Sequence, residues 1–182
     1  MKILFFVFLA WFCSNSLAHS ITGTVSRVID GDTIVVTSHS LLSTAHDPQT
    51  LRIRLADIDA PELKQAYGPE AREYLRSLVE GELVRVEYKK RDRYGRILGN
   101  VYIGSRYINL AMTATGHAWR YRYARKTGSI AEAESDARES RMGLWHAATP
   151  MAPWVFRRYG AKKETANRSI HPTSGALAYV SR

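Results

Sequence analysis

Cysteine is nearly missing from this 182-residue chain, with Cys13 the single instance. No intramolecular disulfide can form, and a zinc site built from several thiolates is excluded. Long apolar runs are also scarce. Ile3 to Phe12 is unbroken, yet it falls well short of the roughly 20 residues that a bilayer-spanning helix needs. Lys2 ahead of it and the small residues Ser16 and Ala18 behind it form the pattern of a cleaved signal peptide over residues 1–18, cut between Ala18 and His19. Trp11 and Phe12 precede the cysteine where a lipoprotein signal needs small residues, so lipidation is not expected. The mature chain then holds no cysteine and has no stable membrane association. Export to a periplasm or to the extracellular medium is the expected destination. No internal repeat is found. Acidic residues are few: 17 Asp and Glu stand against 26 Lys and Arg, a formal net charge of +9. Charge alone leaves three readings level: a nucleic-acid partner, an anionic membrane surface, and plain solubility.

What remains reads as one domain over residues 19–159, followed by a polar, aperiodic tail over 160–182. Ile21–Ile29 and Thr33–Thr37 are β-rich runs around Asp30-Gly31-Asp32. A polar loop from Ser38 to Gln49 follows. Leu51, Ile53 and Leu55 alternate with Arg52 and Arg54, which predicts a half-buried strand with Arg54 on the face opposite the aliphatic residues. Gly68-Pro69-Glu70 opens a helix that Gly81 ends. Val84, Val86 and Tyr88 make a fourth strand, Ile97–Ile103 a fifth, and Gly104-Ser105 a tight turn. Asn109–Thr115 is a short helix ended by Gly116. Ser129 and Glu132 have capping-box spacing at the head of a third helix that Gly143 ends. Trp145 and Trp154 are expected to cover the barrel near the chain end. This order predicts a β-rich α+β fold, a five-stranded OB-type β-barrel with three helices, in which all three helices pack outside.

Three stretches carry candidate chemistry: Asp30-Gly31-Asp32-Thr33, Asp57 to Glu62, and Asp92-Arg93-Tyr94-Gly95-Arg96. Each taken alone has an innocent reading as a turn or a strand exit. Together they supply what phosphodiester hydrolysis requires. Asp32 and Asp59 offer hard oxygen donors to a cation such as calcium. Arg54 and Arg96 are guanidinium groups matched to the charge that develops on a phosphoryl transition state. Glu62 is a carboxylate able to take a proton from attacking water. These five are the candidate metal-binding and catalytic side chains.

The ordered set Val28-Ile29-Asp30-Gly31-Asp32-Thr33, Arg54-Leu55, Asp59-Ala60-Pro61-Glu62, Tyr67-Gly68-Pro69-Glu70-Ala71, Asp92 to Arg96 and Gly143-Leu144-Trp145 resembles the staphylococcal-nuclease-like thermonucleases. It spans nearly the whole mature domain. The resemblance implies calcium (Ca2+) held by the carboxylates of Asp32 and Asp59 and by the backbone carbonyl of Ala60. It also implies transition-state stabilisation by Arg54 and Arg96, Glu62 as general base, and DNA and/or RNA as substrate, with 3′-phosphate ends left behind. Ala60 departs from the family's threonine, keeping the carbonyl but not the hydroxyl. The Ser38–Gln49 loop is longer than in the best-known member, and the stretch from Glu62 to Tyr67 is shorter.

Arg93 and Tyr94 flank Arg96 and are candidates to hold a terminal phosphate. Tyr121-Arg122-Tyr123-Ala124-Arg125-Lys126 interleaves rings with cations, so Tyr121 and Tyr123 are candidates for stacking on bases. A solvated basic loop fits that segment equally well. His39 and His46 read as surface residues, and His117, His146 and His171 are given no catalytic role. The expected protein is a monomer. One rival is a non-catalytic nucleic-acid-binding barrel, which has no need of the full set of ligand and catalytic side chains. Another is a phosphodiesterase for small nucleotides, which has no need of the basic Tyr121–Lys126 segment.

Overall fold

The computed structural model describes residues 19–38 and 49–160. The expected signal peptide, the loop residues His39 and His46, and the tail beyond Gly160 with His171 lie outside the described residues. In chain order the elements are β1 (His19–Asp30), β2 (Thr33–Ser38), β3 (Thr50–Leu55), β4 (Ile58–Asp59), α1 (Gly68–Val79), β5 (Leu83–Arg91), β6 (Ile97–Ile103), β7 (Arg106–Tyr107), α2 (Ile108–Ala114), β8 (Trp119–Arg120) and α3 (Ser129–Glu139). A 3-10 turn over Gly143–His146 then leads to α4, residues 153–160.

Strands β3, β2, β1, β5 and β6 lie side by side, and β3 also pairs with β6, which closes a five-stranded barrel. The closure is parallel, setting Ile53 against Ile97, Arg54 against Leu98 and Leu55 against Gly99. Every other pairing between neighbours in the barrel is antiparallel. The inward residues follow the period of two that a strand imposes. Ile34 and Val36, Ile53 and Leu55, Val84 and Val86, and Ile97 and Val101 are all fully buried. Helix α1 lays Ala71, Leu75 and Val79 on this core. Closure leaves β3 and β6 without free edges, so it answers the hazard that an open sheet carries.

Asn109 sews the closure together. Its Oδ1 accepts the Val101 N–H at 3.0 Å, while its Nδ2 donates to the Ala56 carbonyl at 2.9 Å and to the Gly99 carbonyl at 3.1 Å. One wholly buried amide thus ties α2 to β6 and to the turn that leaves β3.

Three expectations need correction. Among the described residues there are four helices, because residues 153–160 are helical. The short α4 is held by packing of Trp154 and Val155 rather than by a long periodic pattern. The capping box does not form: Gly128 is the N-cap of α3, Ser129 is already helical, and no side chain caps that end. The tryptophans build a second cluster instead of covering the barrel directly. Trp119 meets Trp145 edge-on at 4.4 Å and Trp154 at 5.5 Å, with Leu144, Ala137 and Ala152 beside them. The Arg138 guanidinium lies 4.0 Å from the Trp145 ring and 4.7 Å from that of Trp119, a favourable cation–π arrangement.

His117 stacks on Tyr74 at 3.9 Å and shares hydrogen bonds with Thr115 at 2.8 Å and Tyr67 at 3.3 Å. Burial holds its basicity below the ordinary histidine value. The folded state therefore prefers the neutral ring, whose stability contribution is present above about pH 6.5 and declines as the pH falls below it. In urea denaturation across that window, His117→Gln should lose stability less steeply on acidification than the parent. Separately, Asn109→Ala strips partners from the Val101 N–H and the Ala56 carbonyl. Its expected cost is about 2–6 kcal/mol, at roughly 1–3 kcal/mol for each of the two buried polar groups left unmet, read from the shift in denaturation midpoint.

Candidate active site

Two register shifts in β1, between Val25 and Arg27 and between Val28 and Asp30, bend the strand as it enters the first acidic turn. Bulges of this kind re-aim the side chains that follow. Asp30 Oδ1 accepts the Asp32 N–H at 3.0 Å. Asp32 Oδ1 accepts the Thr33 hydroxyl at 3.0 Å, and Oδ2 accepts the Ala60 N–H at 2.9 Å. Glycine is required between the two aspartates, since a Cβ on Gly31 would lie 2.7 Å from that of Ala60 and 2.9 Å from that of Ala71. The turn is therefore pressed against both the β4 exit and α1.

Arg54 stands on β3 opposite Thr33. Its Nη1 donates to the Leu55 and Ile58 carbonyls, each at 2.9 Å. Its Nη2 lies 2.9 Å from Asp59 Oδ1 and 3.1 Å from Asp32 Oδ2. Burial alone would lower the basicity of this guanidinium, but Asp32, Asp59 and Asp30 more than offset it. Asp30 itself forms no ion pair among the described residues. Burial, and then the charge of Asp32, push its carboxyl up to about 6.

Glu62 follows β4 in a short, braced loop. Its N–H donates to Gln65 Oε1 at 3.2 Å, and its carbonyl accepts the Gln65 N–H at 2.8 Å. Gln65 Nε2 donates in turn to the Met151 carbonyl at 2.5 Å. A side chain at Gly68 would overlap the Glu62 carbonyl, so glycine is what lets the shortened loop fold back on the start of α1. From α4, Arg157 Nη2 reaches Asp59 Oδ2 at 2.7 Å, and Nη1 reaches Glu62 Oε1 at 2.6 Å.

Asp92 organises the hairpin between β5 and β6. Its Oδ1 accepts the N–H groups of Tyr94 and Arg96 at 2.9 and 3.0 Å, and its Oδ2 accepts Arg96 Nε at 2.8 Å. Burial would raise this carboxyl, yet the Arg96 bonds and the Tyr94 N–H hold it below the ordinary range. The exposed Tyr94 ring sits beside the Arg93 guanidinium at 4.9 Å and that of Arg96 at 5.6 Å. Tyr121 and Tyr123 meet edge-on at 5.5 Å, and Arg122 lies over the Tyr123 ring at 4.4 Å. The Tyr121 N–H donates to the Asp57 carbonyl at 2.8 Å, which fixes this segment to the turn after β3.

One groove of about 1210 Å³ collects these residues. Asp32, Arg54, Asp59, Ala60, Glu62, Arg93, Tyr94, Arg96, Tyr121 and Tyr123 all line it. Asp30 and Arg157 line it as well, although neither stood among the candidates from sequence. Asp30 was readable from its place in the first acidic turn; Arg157 had no local signal at all. The inner end of the groove brings the carboxylates of Asp30, Asp32, Asp59 and Glu62 against the guanidinium groups of Arg54 and Arg157, an excess of negative charge. Lys89, Lys90, Arg93, Arg96, Arg122 and Arg125 line the same groove, together with Asp57, Glu87 and Asp92. Among the described residues no three His, Cys, Asp or Glu side chains form a ready-made metal cage. The donors at this end are nevertheless all oxygen, as a hard divalent cation requires, and their unbalanced charge fits one.

A closed barrel whose groove joins an acidic cluster to arginines, lysines and tyrosines, on a chain of net positive charge, defines a protein equipped to handle a polyanion. Comparison with known proteins narrows the class. Residues 52–147 match the family described as staphylococcal nuclease homologue. The chain is 42% identical over 142 residues to an uncharacterized endonuclease of Escherichia coli, covering 78% of this chain and 88% of that protein. It is 42% identical over 156 residues to a micrococcal nuclease of Shigella flexneri, covering 80% and 84%. It is also 36% identical over 129 residues to the staphylococcal-like nuclease CAN1 of Arabidopsis thaliana, covering 69% of this chain and 40% of that one. The chain belongs to the staphylococcal nuclease family. It is a nuclease that hydrolyses phosphodiester bonds, and nucleic acid is its substrate.

Removing Arg54 isolates the electrostatic core of this pocket. Arg54→Met leaves Asp32 and Asp59 without their shared buried partner, and breaking a buried pair costs about 3–5 kcal/mol. Thermal and urea unfolding should show a loss of that order at neutral pH. A loss under about 1 kcal/mol would mean that the two carboxylates are compensated elsewhere.

Proposed function

We propose that the protein is an exported, calcium-dependent endonuclease that cuts DNA and/or RNA and leaves 3′-phosphate ends. The observation that carries this reading is the meeting, in one groove, of the Arg54–Asp32–Asp59 cluster with Glu62 and Arg96. Asp32, Asp59 and the Ala60 carbonyl would hold calcium, which supplies Lewis-acid stabilisation of the phosphoryl oxygens when bound. Arg54 is anchored on two carbonyls, so its remaining N–H groups are oriented before substrate arrives. Arg96, steadied by Asp92, presents a second guanidinium toward the same groove. Both suit charge that appears only at the transition state. Glu62 takes the proton of the attacking water. Tyr94 and Arg93 receive the phosphate end, and Tyr121 and Tyr123 stack on bases. The basic rim favours a long polyanion over a small nucleotide, and the protein works as a monomer. The apolar Ile3–Phe12 run supports export. Among the described residues no helix is long and apolar enough to cross a membrane.

Cleavage should vanish with a calcium chelator and return with calcium but not with magnesium alone, and end-labelling should find 3′-phosphates. Rescue by magnesium to the full calcium rate would sink the metal assignment. Arg96→Lys keeps the charge and loses the planar fork. Its single-turnover rate should fall about 10²-fold or more, while affinity measured in chelator barely changes.

A further inference from the structure

We propose that Arg157, on the C-terminal helix α4, is a positioning residue of this site, holding the Glu62 carboxylate in place from an anchor on buried Asp59. The proposal rests on the reading of Glu62 as a working carboxylate, and it assigns a role to a residue beyond the stretch 52–147 matched to the family.

The geometry is a relay. Asp59 is 0% exposed and accepts from both terminal nitrogens of Arg157, at 2.7 Å and 3.2 Å. Two bonds to one carboxylate fix the plane of a guanidinium, which a lysine could not do. Nη1, so oriented, reaches Glu62 Oε1 at 2.6 Å. Glu62 itself is more than a third exposed on a loop of little regular structure, and among the described residues Arg157 is the one partner of its carboxylate, which would otherwise be free to turn. The relay does not act alone. Gln65, three residues on, is tied to the Met151 carbonyl, so the same C-terminal segment grips the Glu62 loop at two points. The segment is itself held by Trp154 and Val155 in the tryptophan cluster. Arg157 therefore has a rigid base, a fixed plane and one donor aimed at the carboxylate that needs orienting. Outer partners of this kind typically govern 10–100-fold in activity.

The test is a double-mutant cycle with R157Q and E62Q, read by single-turnover cleavage with calcium, together with nucleic-acid affinity in chelator. R157Q alone should slow cleavage at saturating substrate by about tenfold or more, with affinity and its salt dependence unchanged. In the E62Q background, R157Q should cost nothing further, because the group it positions is already disabled. R157K should recover only part of the rate. The 13C signal of the Glu62 side-chain carboxyl, assigned by its absence in E62Q, should move in R157Q. Parental cleavage by R157Q, an equal loss in the E62Q background, or an unmoved carboxyl signal would each overturn the proposal. So would weaker binding with a reduced salt slope, since Arg157 would then be gripping phosphate itself. Parental cleavage by E62Q with a moved carboxyl signal would indict the general-base reading and leave the positioning intact. Circular dichroism confirms folding, and if R157Q fails to fold, R157K enters the same cycle.

Discussion

The Arg54 guanidinium is the interaction around which the pocket is arranged. A buried cation is costly unless its hydrogen bonds and its charge are both met. Here the Leu55 and Ile58 carbonyls meet the bonds, and Asp32 and Asp59 meet the charge. Those four groups come from the first hairpin, the end of β3 and the two-residue β4, so one side chain fixes where three chain segments lie. The same constraint explains why Asp59 can be wholly buried without destroying the fold, and why the turn after β3 cannot drift.

Much of this was written locally in the sequence. The alternation Leu51, Ile53, Leu55 located β3 and turned Arg54 away from the core, and the three short acidic or basic stretches all supplied residues that line one groove. What escaped was not local. Arg157 meets Asp59 and Glu62 across nearly the whole domain, and a single arginine in Trp154-Val155-Phe156-Arg157 carries no mark of its partner. Helix α4 is too short for periodicity to announce it, and its packing on Trp119 and Trp145 is what stabilises it. Ser129 misled for a related reason: the spacing was right, but the chain enters α3 through Gly128 at a φ of 98°, a backbone conformation that favours glycine, one residue ahead of the expected cap. Asn109 was legible only as a helix start, because its value lies in the three backbone groups that barrel closure brings to it.

Charge is distributed on two scales. At long range the net positive balance and the lysines and arginines around the groove favour a polyanion approaching from solution. At short range the inner end is acidic, which would repel phosphate unless something positive stood between. Arg54 and Arg157 partly fill that part, while burial first and then the charge of Asp32 hold the Asp30 carboxyl well above the ordinary carboxylate range. The groove is attractive from afar and selective at contact.

The parallel contact of β3 with β6, together with the reach of α4 back to the first half of the chain, has a consequence for the order of events during synthesis. Pairings between distant segments form late, because the intervening chain must be closed first. The acidic turn and Arg54 emerge early, Arg96 much later, and Arg157 last of all. An unfinished or partly folded chain owns pieces of the groove but not the groove. The assembled groove is thus a property of the completed fold alone.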